Sequence, residues 1–190
     1  MYDTLEFTQL LAVQPIRRSA ILGGQLLALA AALLLAQAIG LGLPLVVHSP
    51  TVASLVLSLS GSALVLVFAA LGALIALKQR EKARGVGVAL AIWFLFVLVY
   101  DALLMWGMFT LSDHPIEPFV VPLAGINPID LARIMVMLQV DLAAMMGYSG
   151  AIYKNFFGSV GGTIVAALIL SLWVAVPVLF AFRVFRRKDL

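Results

Sequence analysis

Asp101 is the residue in this chain whose position most needs a chemical reason: it sits in Val99-Tyr100-Asp101-Ala102, inside a long apolar run. A carboxylate at membrane depth costs about 2.5–3.5 kcal/mol on insertion scales, so such a group either binds an ion or proton or accepts hydrogen bonds that hold the fold. No second ionisable residue lies within an apolar run to form the next member of a proton relay. The preferred reading is therefore a structural acceptor for Tyr100, a neighbouring helix or an outer loop.

A second polar group is Asp130 and Arg133, three apart and hence neighbours on one helical face, with Gln139 and Asp141 extending that side. A third is a run of methionines, Met105, Met108, Met135, Met137, Met145 and Met146. Thioether sulfur is a soft ligand suited to Cu(I). Methionine is also a routine filler of apolar packing, and neither cysteine nor histidine joins the group, so packing is preferred. The chain has no cysteine, which removes disulfides and thiolate chemistry. Its two histidines, His48 and His114, are too few for a histidine-built metal centre, and His114 beside Asp113 and Glu117 reads as a solvated turn. No phosphate-binding glycine-lysine loop occurs, so the chain does not hydrolyse ATP itself. It is read as neither an enzyme nor a cofactor carrier.

These groups have to be positioned by helices in lipid. The 190 residues are 64% hydrophobic and 11% charged, with a mean hydropathy of +1.14. A soluble domain is nearer half apolar and a quarter charged, and a fold this small lacks the interior to hide the excess. The pI of about 9.5 does not point to nucleic acid, because the net charge is only +3 and the basic residues sit at the ends of apolar runs. A span needs about 20 apolar residues. Four stretches qualify: 19–47, broken by Gly40 and Gly42 and stopped near Pro44; 52–77, entered through Ser49-Pro50-Thr51; 87–111; and 160–182. The fold class is an all-α membrane protein, a polytopic bundle of four transmembrane helices forming a single domain over 1–190.

Lysine and arginine orient the bundle. Arg17 and Arg18 precede the first span, Lys78, Arg80, Lys82 and Arg84 separate the second from the third, and Arg183, Arg186, Arg187 and Lys188 follow the fourth. Four spans place all three clusters on one side, and the positive-inside rule makes that side the cytoplasm, with both termini in it. The acidic start, Met1 to Glu6, does not read as a cleavable signal.

Two segments lie beside the spans. Residues 1–18 mix Leu5, Leu10, Leu11 and Val13 with Asp3, Glu6, Thr8 and Gln9, a short amphipathic helix ending before Pro15. Residues 113–157 open with an exposed turn at Asp113-His114-Pro115-Ile116-Glu117-Pro118. Asn127-Pro128 then start a helix running to about Met146, with Asn127 as N-cap. That helix is too polar to span well and too apolar for water, so it lies at the outer interface or re-enters shallowly. The glycines at 147, 150 and 158, with Tyr148, Tyr153, Phe156 and Phe157, suit a turn returning at headgroup depth. Residues 183–190 form a cytoplasmic tail.

Several stretches together resemble a known family. TLEFTQLLAVQPIRRSAILGGQ, residues 4–25, resembles the cytoplasmic loop between the second and third spans of ABC-2-type transporter permeases. NPIDLARIMVMLQVDLAAMMGYSGAIYKNFFG, residues 127–158, followed by a last span and FRVFRRKDL, resembles the end of the NosY-type permeases of nitrous-oxide-reductase maturation, a copper-enzyme assembly system. The resemblance implies the ABC-2, type V exporter-like permease fold in the bacterial inner membrane. It implies two permease copies bound by cytoplasmic ATP-binding subunits, with a periplasmic copper-handling partner outside. Residues 3–16 would be the coupling helix, which makes Glu6, Leu10, Leu11, Gln14, Pro15, Arg17 and Arg18 the ATPase-coupling candidates. Asp101, Asn127, Asp130, Arg133, Asp141 and Tyr148 are the outer-gate or pathway candidates. The family has six spans and this chain shows the last four, which implies a fragment or a start assigned at an internal methionine rather than a four-span variant.

Two rivals come from other classes: a secondary transporter or channel-like protein with Asp101 as its ion site, and a membrane anchor for an extracytoplasmic complex.

Overall fold

The computed structural model describes residues 18–79, 81–110, 117–139 and 148–187. The amphipathic segment 1–17, the turn at 111–116, and 140–147 with Asp141 lie outside them. All the described elements are helices, as a chain in lipid requires when each backbone donor and acceptor must be met internally.

Helix α1 runs over Arg18–Gln37, widens into a π-helical turn at Ala38–Gly42 and continues as Leu43–His48. Pro44 therefore does not stop it. A proline ring clashes with the carbonyl four residues back and cannot donate to it; here that carbonyl belongs to Gly40, inside the wide turn. Thr51 caps helix α2, Val52–Lys78, its hydroxyl accepting from Ser54 N at 3.2 Å. Helix α3 begins at Lys82, earlier than hydropathy alone predicts, and runs through Phe94, a second π-helical turn at Leu95–Val99, and Tyr100–Thr110.

The segment between the third and fourth spans holds three short helices among the described residues. Helix α4, Glu117–Ile126, replaces the second half of the expected turn, because Glu117-Pro118 opens a helix as readily as it closes one. Helix α5 is Pro128–Gln139, and α6 is Tyr148–Phe157 where a returning turn was expected. Helix α7, Val160–Arg187, carries Arg183, Arg186 and Arg187 in its last turns. Ser159 starts α7 by accepting from Gly162 N at 3.0 Å. The α6–α7 junction is so tight that a Cβ on Gly162 would lie 1.9 Å from the Phe156 carbonyl oxygen. Gly87, by contrast, faces open space, so it permits no close helix approach among the described residues.

Helix α2 is the centre of the bundle, packed against α7, α5 and α1. Two buried clusters mark its ends. Leu22, Leu77, Ala181 and Phe185 meet at one end, which brings the starts and finishes bearing Arg18, Lys78 and Arg183 together; this is the basic end. Ala124, Leu131, Ile134, Tyr153, Phe157, Ala166 and Leu170 form the core of the far end, beneath the outer segment. The most apolar stretches of α1 and α3 have no buried residue, against 28% and 22% of those in α2 and α7. Their outward Leu, Ile, Val and Trp side chains need lipid or another apolar protein surface to cover them.

Candidate functional site

At the far end the chain breaks between α4 and α5, and breaks leave backbone groups without helical partners. Side chains from the two nearest spans meet them. Tyr100 Oη of α3 donates to the Leu123 carbonyl, and Trp173 Nε1 of α7 donates to the Gly125 carbonyl at 3.1 Å. Asn127 is fully buried. Its Oδ1 accepts from Ile129 N at 3.0 Å, the expected cap, while its Nδ2 donates at 2.7 Å to the carbonyl of Phe96 in the π-helical turn of α3. The Phe96 and Trp173 rings meet edge to face at 5.4 Å.

One turn into α5, Arg133 reaches α3. Its Nη1 donates to Asp101 Oδ2 at 2.9 Å and its Nη2 to Asp101 Oδ1 at 3.2 Å, a two-pronged fork. Nη2 also pairs with Asp130 on the same helix. The Asp130 side chain is only 7% exposed, against 31% for Asp101 and 44% for Arg133. Burial pushes the Asp130 carboxyl up to about 6; Arg133 opposes that rise and the charge of Asp101 adds to it. Tyr153 of α6 is buried close by, and burial first, then the Asp130 charge, pushes its phenol up to about 12, so it stays neutral.

Of the outer candidates, Asp101, Asn127, Asp130 and Arg133 are thus brought together. Tyr148 opens α6 in the backbone, and Asp141 lies outside the described residues. Of the coupling candidates, Arg18 opens α1 at the basic end, while Glu6, Leu10, Leu11, Gln14, Pro15 and Arg17 lie outside. Tyr100 is spent on Leu123 rather than on Asp101, and the ionisable partner that no span supplies arrives from the outer segment as Arg133.

The described side chains of the site bind elements together. Among the described residues no group of three or more His, Asp or Glu is placed to hold a metal ion. Met108 and Met135 pack against the far-end core, and Met105 points outward, 73% exposed.

Two features were not legible beforehand. Trp173 stands inside the apolar run 160–182, where nothing in the local pattern marks it as a donor to another segment. Within the first helical hairpin, Gln37 Nε2 donates to the Ser58 carbonyl at 3.0 Å and Ser62 Oγ donates to Gln37 Oε1 at 2.8 Å. An amide in an apolar run opposite a serine-rich span was the available signal.

The architecture defines a multi-pass helical membrane protein with a polar-fastened cap at the end away from the basic one. The family model described as "ABC-2 family transporter protein" matches residues 7–190, and the chain belongs to the ABC-2 family of transporter proteins. Two curated relatives carry the printed name "Probable ABC transporter permease protein NosY". The one from Stutzerimonas stutzeri is 34% identical over 125 residues, covering 64% of this chain and 43% of the relative. The one from Pseudomonas aeruginosa is 31% identical over 192 aligned positions, covering 95% of this chain and 68% of the relative. The chain thus spans less than half of one relative's length and about two thirds of the other's.

Proposed function

We propose that this chain is the membrane-spanning permease subunit of an ABC transporter, working as a pair of copies with separate cytoplasmic ATP-binding subunits. The basic end of the bundle is cytoplasmic by the positive-inside rule, so both termini face the cytoplasm of a bacterial inner membrane and the cap faces outward. The observation that carries the reading is the fastening of that cap. Tyr100, Asp101 and the Phe96 carbonyl from α3, and Trp173 from α7, grip both sides of the α4–α5 break. Helix α7 also reaches the basic-end core through Ala181 and Phe185. A push on the basic end is therefore delivered to the cap through packed, hydrogen-bonded helices. Residues 3–16, resembling a coupling helix, are where that push enters. The names of the two relatives and the stretch at 127–158 support a role in copper-site assembly of nitrous oxide reductase, with a periplasmic copper-handling protein seated on the cap. Residues that hold elements together, without a metal-binding group among those described, favour mechanical work at the outer face.

The secondary-transporter reading has less support, because both carboxylate oxygens of Asp101 are engaged by Arg133. Replacing Leu10 and Leu11 with glutamate tests the coupling proposal: the variant should reach the membrane and lose the ATP-binding subunit. Unchanged retention of that subunit would remove residues 3–16 as its docking element.

A further inference from the structure

Three charged side chains meet at the cap, and they do not cancel. Asp101 and Asp130 face a single cation, Arg133, so the fully ionised cluster carries one net negative charge. Uncompensated charge away from water is costly, and the cheapest remedy is one proton on the most buried carboxylate. That carboxylate is Asp130, whose side chain is 7% exposed.

Among the described residues, the Asn127 side chain also steadies the Asp130 charge by a hydrogen bond, with less effect than Arg133. Helix α3 contributes Asp101 and the neutral Tyr100. Helix α6 contributes the neutral Tyr153, with Lys154 beside it on the exposed side. Helix α4 carries Glu117 at the end away from the break. Helices α2 and α7, which also pack on α5, have no ionisable side chain before Lys78 and Arg183 at the basic end.

We propose that Asp130 takes up and releases one proton, and that this proton sets how firmly Arg133 fastens outer helix α5 to span α3. With Asp130 ionised, Arg133 has two rival partners, one on its own helix and one across the gap. With Asp130 neutral, the guanidinium belongs to Asp101 alone, and the fork between helices becomes a compact neutral pair. The fastened state holds the Asp130 proton up to about pH 6, while an unstrained aspartate loses it near 3.9. Because the fastened form has the higher value, its advantage is complete below about 3.9 and is lost as pH rises through about 6. The inference concerns this chain's own residues and stands whether or not an ATP-binding subunit drives it.

The chain's lack of cysteine permits a direct test. Met105→Cys on α3 and Gln139→Cys on α5, both at exposed positions, carry spin labels on the full chain in lipid nanodiscs. The ratio of close to separated label pairs should fall roughly 25-fold between about pH 4.5 and about pH 8. Adding Asp130→Asn should hold the close population at both pH values. A wild-type distance that ignores pH, or an unchanged pH response in Asp130→Asn, would overturn the proposal. Should Asp130→Asn not fold, infrared spectroscopy of the parent chain decides. A protonated carboxyl band that titrates away near pH 6 supports the switch, and no carboxyl titrating in that region contradicts it.

Discussion

Asp101 and Arg133, thirty-two positions apart in sequence, meet as a two-pronged ion pair at 2.9 and 3.2 Å that joins a membrane span to the cap at the far end. The pair is partly exposed, so its worth lies well below that of a buried bridge. Removing Arg133 is the harsher change, because it leaves two carboxylates facing each other with no cation. Arg133→Ala should therefore destabilise more than Asp101→Ala. A double-mutant cycle read by thermal unfolding in detergent should show a coupling of about 1 kcal/mol. Strict additivity would mean the pair holds nothing.

Trp173→Phe keeps the ring against Phe96 and deletes the donor to the Gly125 carbonyl. The expected loss is about 1 kcal/mol, with faster amide hydrogen exchange around residues 125–131. Tyr100→Phe, which frees the Leu123 carbonyl, should behave alike. Loss of stability with no change in exchange at the break would assign these side chains to packing alone.

In the first helical hairpin, Gln37→Leu should cost about 0.6 kcal/mol, the average for polar contacts between membrane helices. Adding Ser62→Ala to Gln37→Leu should cost little more, since the shared bond is already gone. Fully additive losses would show that Ser62 acts elsewhere.

Gly162→Ala puts a methyl group against the Phe156 carbonyl and should destabilise by about 1–3 kcal/mol through forced backbone movement. Gly87→Ala, facing open space, should be neutral or slightly stabilising. Equal effects at the two sites, measured by thermal unfolding, would contradict the packing at the α6–α7 junction.

The spans were readable because 20-residue apolar runs admit few other fates in a chain of this composition. What hydropathy could not see was how prolines are absorbed. Pro44 reads as a stop, yet the wide turn at Ala38–Gly42 carries the helix past it. Pro118 made the start of α4 look like a turn, although proline fits a first helical turn well. Asn127, Asp130 and Arg133 could be placed on one short helix from local spacing. Their partners could not, because Phe96 and Asp101 are fixed by tertiary packing across dozens of residues, as is the bond from Trp173 to Gly125. One clue did exist: a lone acid in a span and a cation on the polar face of an interfacial helix each need a partner, and each is the other's best available match.

The central claim, a permease subunit driven from the cytoplasm, is tested most directly by affinity purification of the tagged chain from its native membranes, followed by mass spectrometry of what accompanies it. The account predicts recovery of an ATP-binding subunit together with a periplasmic copper-handling protein. Recovery of the chain without any ATP-binding subunit, from membranes in which that subunit is present, would contradict it.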